Sequence, residues 1–139
     1  MWLPQLADLL EIHARVIART GGASGVLNAG ALEVAVQQPR QVFGGEELYP
    51  TIEAKASALA FFIGSNHPFV DGNKRVALVA LEVTLVQNGL ELQMTVDEAE
   101  DLFLRLAAGA FADREAFAAE VSLRIVPLGG RSGPRGARR

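Results

Sequence analysis

The run from Val76 to Val86, VALVALEVTLV, constrains the fold of this chain more than any other stretch. It forms the middle of a helix expected from Asn73 to about Asn88, with Gly89 placed as the left-handed residue that closes it. Apart from Glu82 and Thr84 it is apolar on nearly every side. Such a helix has to be surrounded, so it belongs at the centre of a bundle. It is also too short to cross a bilayer, and Glu82 interrupts it. A chain of 139 residues fits one domain, burying about two-thirds of its unfolded surface.

Partners for that helix are legible on both sides. Gln5 to Arg19 carries Leu6, Leu9, Leu10, Ile12, Val16 and Ile17 at roughly helical spacing, and Thr20-Gly21-Gly22 stops it. His13 lies on or near the apolar face and reads as a structural histidine, and the glycines read as turn chemistry. Asn28 caps a short helix from Ala29 to Gln37 or Gln38, ahead of Pro39. Gln41-Val42-Phe43 and the Gly44-Gly45 turn suit a short hairpin or flap. Thr51 caps a largely buried helix that Gly64-Ser65-Asn66 is expected to end. Leu90 to Met94 reads as an extended link, and Thr95-Val96-Asp97-Glu98 is a capping box for the next helix. Leu102, Phe103, Leu106 and Ala107 form that helix's buried stripe, while Glu98, Glu100 and Asp101 read as its solvated face. Asp113 opens a last helix to about Arg124. The domain is therefore expected over residues 1–126, with 127–139 a disordered basic tail.

Immediately before the central helix stands His67-Pro68-Phe69-Val70-Asp71-Gly72-Asn73-Lys74-Arg75. A helix start presents unpaired N–H groups and the positive end of the macrodipole, so it favours anions, phosphate above all. Lys74 and Arg75 add formal positive charge there, and Asp71 can hold a divalent ion that bridges phosphate oxygens. His67 is the candidate for proton transfer near neutral pH. Pro68 biases His67 towards an extended backbone, and Phe69 is the apolar member that anchors the loop. These residue types describe a phosphate-handling site with its own base.

This stretch resembles the signature of the Fic/Doc family, His-x-Phe-x-(Asp/Glu/Asn)-(Gly/Ala)-Asn-(Gly/Lys)-Arg, at every specified position. Two residues are similar to the death-on-curing (Doc) branch: Lys74, where nucleotidyl-transferring members carry Gly, and Leu78, where they carry a second arginine. The resemblance covers roughly residues 5 to 125 and implies an all-α, compact bundle of about six helices around a central buried helix, with a flap that aligns a target chain. It implies ATP and Mg²⁺ as cofactors, with Asp71 holding the metal. His67, Asp71, Lys74 and Arg75 would be catalytic, and Phe69, Gly72, Asn73, Lys74 and Arg75 would bind the nucleotide. At Gly72 a side chain larger than methyl would crowd the phosphate. The implied function is that of a toxin in a type II toxin–antitoxin pair. Such a protein Ser/Thr kinase would phosphorylate a translation factor, elongation factor Tu by resemblance, and arrest growth. Protein adenylylation (or another nucleotidyl transfer) is the alternative, and a non-catalytic partner-binding domain is a third. No Ser or Thr has a Glu four residues on, so the family's internal inhibitory helix is missing and inhibition is expected in trans, from an antitoxin.

Composition narrows the classes further. With no Cys, disulfides and thiolate zinc sites are excluded. Setting aside Arg131, Arg135, Arg138 and Arg139 leaves 9 of the 13 Lys and Arg against 16 Asp and Glu, so the body carries −7. That charge argues against DNA binding by the domain itself. No basic segment followed by an apolar stretch opens the chain, so a cytoplasmic protein without membrane association is expected.

Overall fold

The computed structural model describes residues 1–129. Helix α4 (Asn73–Gln87) occupies the centre, with Val76, Ala77, Ala80, Leu81, Thr84 and Leu85 buried along it. Thr84 satisfies its buried hydroxyl by donating to the Ala80 carbonyl at 2.7 Å. α3 (Ile52–Asn66) packs most extensively against α4, while α1 (Leu6–Thr20) and α5 (Val96–Ala107) flank it. α2 (Ala29–Gln37) and α6 (Arg114–Ser122) close over the far side of α3. The protein is the expected helical bundle around a buried central helix.

The caps follow the sequence. Asn28, Thr51, Thr95 and Asp113 each accept a hydrogen bond from the backbone N–H three residues on, at 2.9 to 3.1 Å. Gly89 takes the left-handed conformation after α4 (φ 82°). Asn88 then grips the start of the chain. Its amide accepts from Trp2 N at 2.9 Å and donates to Trp2 O at 2.8 Å.

The flap is a two-stranded hairpin, β1 (Val42–Phe43) against β2 (Glu46–Glu47), paired Val42 to Glu47 and Phe43 to Glu46. Gly44 and Gly45 both have positive φ (58° and 82°), as a two-residue turn matched to strand twist requires. Lys55 secures the flap to α3. It is 3% exposed, donates to the Pro39 carbonyl at 3.2 Å and pairs with Glu47. The returning flap is what makes burial of its ammonium tolerable.

Other differences have similar causes. Leu90–Leu92 is strand β3, not a lone link, because β4 (Ile125–Pro127) pairs antiparallel with it. α6 accordingly ends at Ser122, before the expected Arg124, and Leu128 N donates to Gly89 O at 2.9 Å. The expected tail lies outside the described residues from position 130 onward. Gly64 does not end α3, which runs to Asn66. Its role is to permit contact with α5: a Cβ there would lie 2.5 Å from Leu106 Cδ2.

Two predictions follow from this packing. Gly64→Ala forces the buried Leu106 side chain to move and is expected to cost about 1–3 kcal/mol in urea unfolding. Adding Leu106→Ala is expected to cost less in that background than in the wild type, as a double-mutant cycle would show. The second concerns α5 and α6, which are joined where Arg105 pairs with Glu120 and Asp101. The Arg105 hydrogen bond holds the Glu120 carboxyl below the usual glutamate range, against an opposing effect of burial. Because the folded value is depressed, this stabilisation is complete above the ordinary value of 4.5 and is lost as pH falls through the folded value. Glu120→Gln is therefore expected to flatten the acid limb of a stability–pH curve.

Candidate active site

The signature loop is fastened from behind. Phe69 is fully buried, and His13 of α1 stacks on it with ring centroids 4.0 Å apart and planes 7° apart. His13, itself 5% exposed, also places Nε2 3.0 Å from the Asp71 carbonyl oxygen. Asn73 closes the loop on itself: its Oδ1 accepts from Phe69 N at 2.9 Å and its Nδ2 donates to Phe69 O at 2.8 Å. On the other side, residues 25–28 run against the loop like an edge strand. Leu27 and Asn28 donate to Pro68 O, and Val70 donates to Gly25 O.

Asp71 is held at two points. Besides the His13 contact, its Oδ2 accepts the Ala23 N–H at 2.8 Å. The Gly21-Gly22 turn delivers that N–H. Gly21 is left-handed (φ 76°) and donates to Ile17 O at 2.8 Å, ending α1. Gly22 passes so close that a Cβ would lie 3.2 Å from Asp71 Cβ and 3.3 Å from Oδ2. The turn's two glycines thus have different reasons. One turns the chain, and the other leaves room for a carboxylate.

Gly72 is the left-handed N-cap of α4 (φ 85°) and brings no side chain to cap it. The first hydrogen bond of the helix runs from Val76 N to Gly72 O at 2.8 Å, so among the described residues the N–H groups of Asn73, Lys74 and Arg75 bond no carbonyl. The Lys74 and Arg75 side chains are exposed, and among the described residues no hydrogen bond or ion pair engages either. Unpaired cations beside unpaired N–H groups leave this helix start available to an anion. Both cations line a cleft of about 510 Å³ together with Asp71, Gly72 and Asn73.

His67 follows α3 as its C-cap, in the left-handed conformation (φ 49°, ψ 61°) where an extended one was expected. Pro68 disfavours the right-handed helical region at this residue, and the chain resolves the conflict on the left-handed side. His67 is the only non-glycine residue with positive φ among those described. Such a conformation costs on the order of 1–2 kcal/mol, and outliers of this kind cluster at functional sites. The exposed imidazole lies outside the cleft lining, and so does Phe69, whose full burial leaves no surface for a ligand. Thr20, Gly22, Leu78, Ala99, Glu100, Phe103 and Leu104 complete the lining. Sequence reading passed over the α5 residues, because the same positions read as an ordinary half-buried helix.

This is a class of protein in which a buried central helix begins at a cleft with unpaired N–H groups, two exposed cations and a fixed carboxylate, and an imidazole stands on the loop before it. The particular family follows from comparison with known proteins. The Fic/DOC family profile matches residues 2–85, and the chain belongs to the Fic/Doc family. Toxin Doc of Mycolicibacterium smegmatis is 38% identical over 104 residues, spanning 73% of this chain and 79% of that protein. Protein kinase doc of Escherichia phage P1 is 29% identical over 102 residues, with the same shares covered.

The Asp71 clamp can be tested without any activity. Gly22→Val is expected to displace the carboxylate and speed hydrogen exchange at the Ala23 amide at least ten-fold. Gly21→Ala, where a Cβ meets nothing but φ is positive, is expected to cost about 1 kcal/mol while leaving the Ala23 amide protected. Equal exchange at Ala23 in the two variants would remove the clamp.

Proposed function

We propose that this protein is the toxin of a toxin–antitoxin pair and acts as an ATP-dependent protein Ser/Thr kinase on a translation factor, elongation factor Tu by resemblance. The observation that carries the reading is the uncapped start of α4, with Lys74 and Arg75 making no hydrogen bond or ion pair among the described residues, beside a carboxylate fixed through one oxygen. The relatives named Toxin Doc and Protein kinase doc support both halves of the proposal.

The residues fit a phosphate donor with a divalent ion. Asp71 has its Oδ2 engaged by Ala23, which leaves Oδ1 for Mg²⁺. Among the described residues no three His, Asp or Glu side chains converge, so the donor's own phosphate oxygens would supply further ligands. Bound there, Mg²⁺ would neutralise charge on the transferring group. Lys74 acts as a point charge and Arg75 as a fork on the phosphates, while the first-turn N–H groups of α4 hold the remaining oxygens. This preorganised positive field is the largest expected contribution to phosphoryl transfer. The acceptor oxygen bonds to the γ-phosphorus as the bond to the ADP oxygen breaks, and His67 takes the hydroxyl proton. Its place just outside the cleft lining suits a base that meets the acceptor, not the donor. The exposed flap edge, with Phe43 83% exposed, suits backbone pairing with an extended segment of the target. Inhibition in trans by an antitoxin completes the proposal, and among the described residues no helix is long and apolar enough to cross a membrane.

The test uses ATP labelled at the α or the γ phosphate, with elongation factor Tu as acceptor. Label is expected from the γ position only, and His67→Ala is expected to lower the rate by roughly 10²–10⁴-fold and to abolish growth arrest. Label arriving from the α position would make the protein an adenylyltransferase instead. Growth arrest undiminished in His67→Ala would sink the catalytic reading altogether.

A further inference from the structure

The flap is too short to hold its own pose. Its strands β1 and β2 are two residues each, and a hairpin of that size is not independently stable in water. Neighbours fix its base. Leu48 N donates to Gln41 O at 2.9 Å, and the buried Tyr49 donates its hydroxyl to Gln38 Oε1 at 2.8 Å, with the Arg114 guanidinium over its ring. Beyond the base the tip is open, for a Cβ at Gly44 or Gly45 would meet nothing within 4 Å. Between base and tip, Lys55 reaches in from α3. Its Nζ lies 2.5 Å from Glu47 Oε1 in β2 and 3.2 Å from the Pro39 carbonyl ahead of β1. Stability alone does not call for a cation here, because replacing a buried ion pair by apolar side chains of similar volume is often neutral or stabilising. What an ammonium adds is direction, since it fixes two oxygens at set distances. Its place on α3 matters equally. That helix carries His67 as its C-cap, so Lys55 and His67 stand on one continuous helix, roughly 18 Å apart along its axis at 1.5 Å per residue.

We propose that Lys55 is a positioning residue for the acceptor: acting through Glu47, it holds the flap in the pose, relative to His67, that lets a flap-paired segment bring its hydroxyl to the imidazole. The inference rests on the acceptor-aligning role given to the flap above and names the side chain that sets the alignment. Lys55 is too deeply buried to meet the acceptor itself. Neither it nor Glu47 lines the cleft that holds Lys74 and Arg75, so donor binding does not depend on the pair. A flap that swings away from α3 takes Glu47 with it and leaves a buried ammonium without its carboxylate, which is costly. The held pose is thus set before an acceptor arrives, and pairing with a preset edge loses less conformational freedom. Without the ammonium the flap fluctuates on its base, and the cost of fixing it is transferred to acceptor binding.

Lys55→Met, which keeps the volume and removes the charge, tests this in the full chain through steady-state kinetics and hydrogen exchange. KM for the protein acceptor is expected to rise about ten-fold, with KM for ATP and kcat at saturating acceptor unchanged. The Leu48 amide, bonded across the hairpin base, is expected to exchange about ten-fold faster, while the urea midpoint does not fall. Adding Glu47→Ala to Lys55→Met is expected to raise the acceptor KM no further, because the two side chains act as one. An acceptor KM that stays at the wild-type value overturns the positioning role. So does a loss shared equally by ATP KM, kcat and the urea midpoint, which is what a purely structural lysine would give. A double variant much worse than Lys55→Met would show Glu47 acting on the acceptor directly and would also overturn it. A wild type that transfers no phosphate to the acceptor overturns instead the kinase reading, and the acceptor role of Lys55 with it.

Discussion

The burial of α4 is the constraint on which the rest of the molecule depends. A helix apolar on nearly every side can be stable only if other elements cover it, and α1, α3 and α5 do so. Once the middle is enclosed, the N-terminal end is what remains available, at the rim where those neighbours meet. The site therefore follows from the packing. Its N–H groups are held by the buried central helix, and the loop before it is fastened by Phe69 and Asn73. Rigidity of this kind is what electrostatic catalysis requires, because dipoles already in place need not reorganise.

Much of this was legible in the chain, for a physical reason. Helix periodicity, caps at Asn28, Thr51, Thr95 and Asp113, and the 67–75 signature are all local patterns, decided by residues within a few positions of one another. What sequence reading missed depends on partners far along the chain. Gly64 looked like a stop signal because its neighbour Leu106 is on another helix. The burial of Lys55 depends on the flap, which precedes it by several residues and folds back over it. Leu90–Leu92 becomes a strand only when Ile125–Pro127 returns beside it. His13 read correctly as structural, yet nothing near it in sequence announces that it holds a loop 58 positions away.

The site is also less uniform than its motif suggests. Seven specified positions within nine residues look equivalent on paper, but the fold divides their labour. Phe69 and the Asn73 side chain serve the loop itself, Asp71 is shared between the loop and the cleft, and the exposed side chains of His67, Lys74 and Arg75 make no hydrogen bond or ion pair among the described residues. Substitutions within one motif are accordingly unlike in kind, some loosening the support and others removing charge from an intact cleft.

The order in which the cleft's walls occur along the chain has a consequence for synthesis. Residues 20–22 supply the first wall, 71–78 the second and 99–104 the third. A growing polypeptide thus possesses its 67–75 signature loop well before it possesses a closed cleft. Trp2, meanwhile, waits for Asn88 to emerge before it can dock. Competence arrives late and all at once, so an abandoned translation product ending before α5 is a fragment with the motif but not the site.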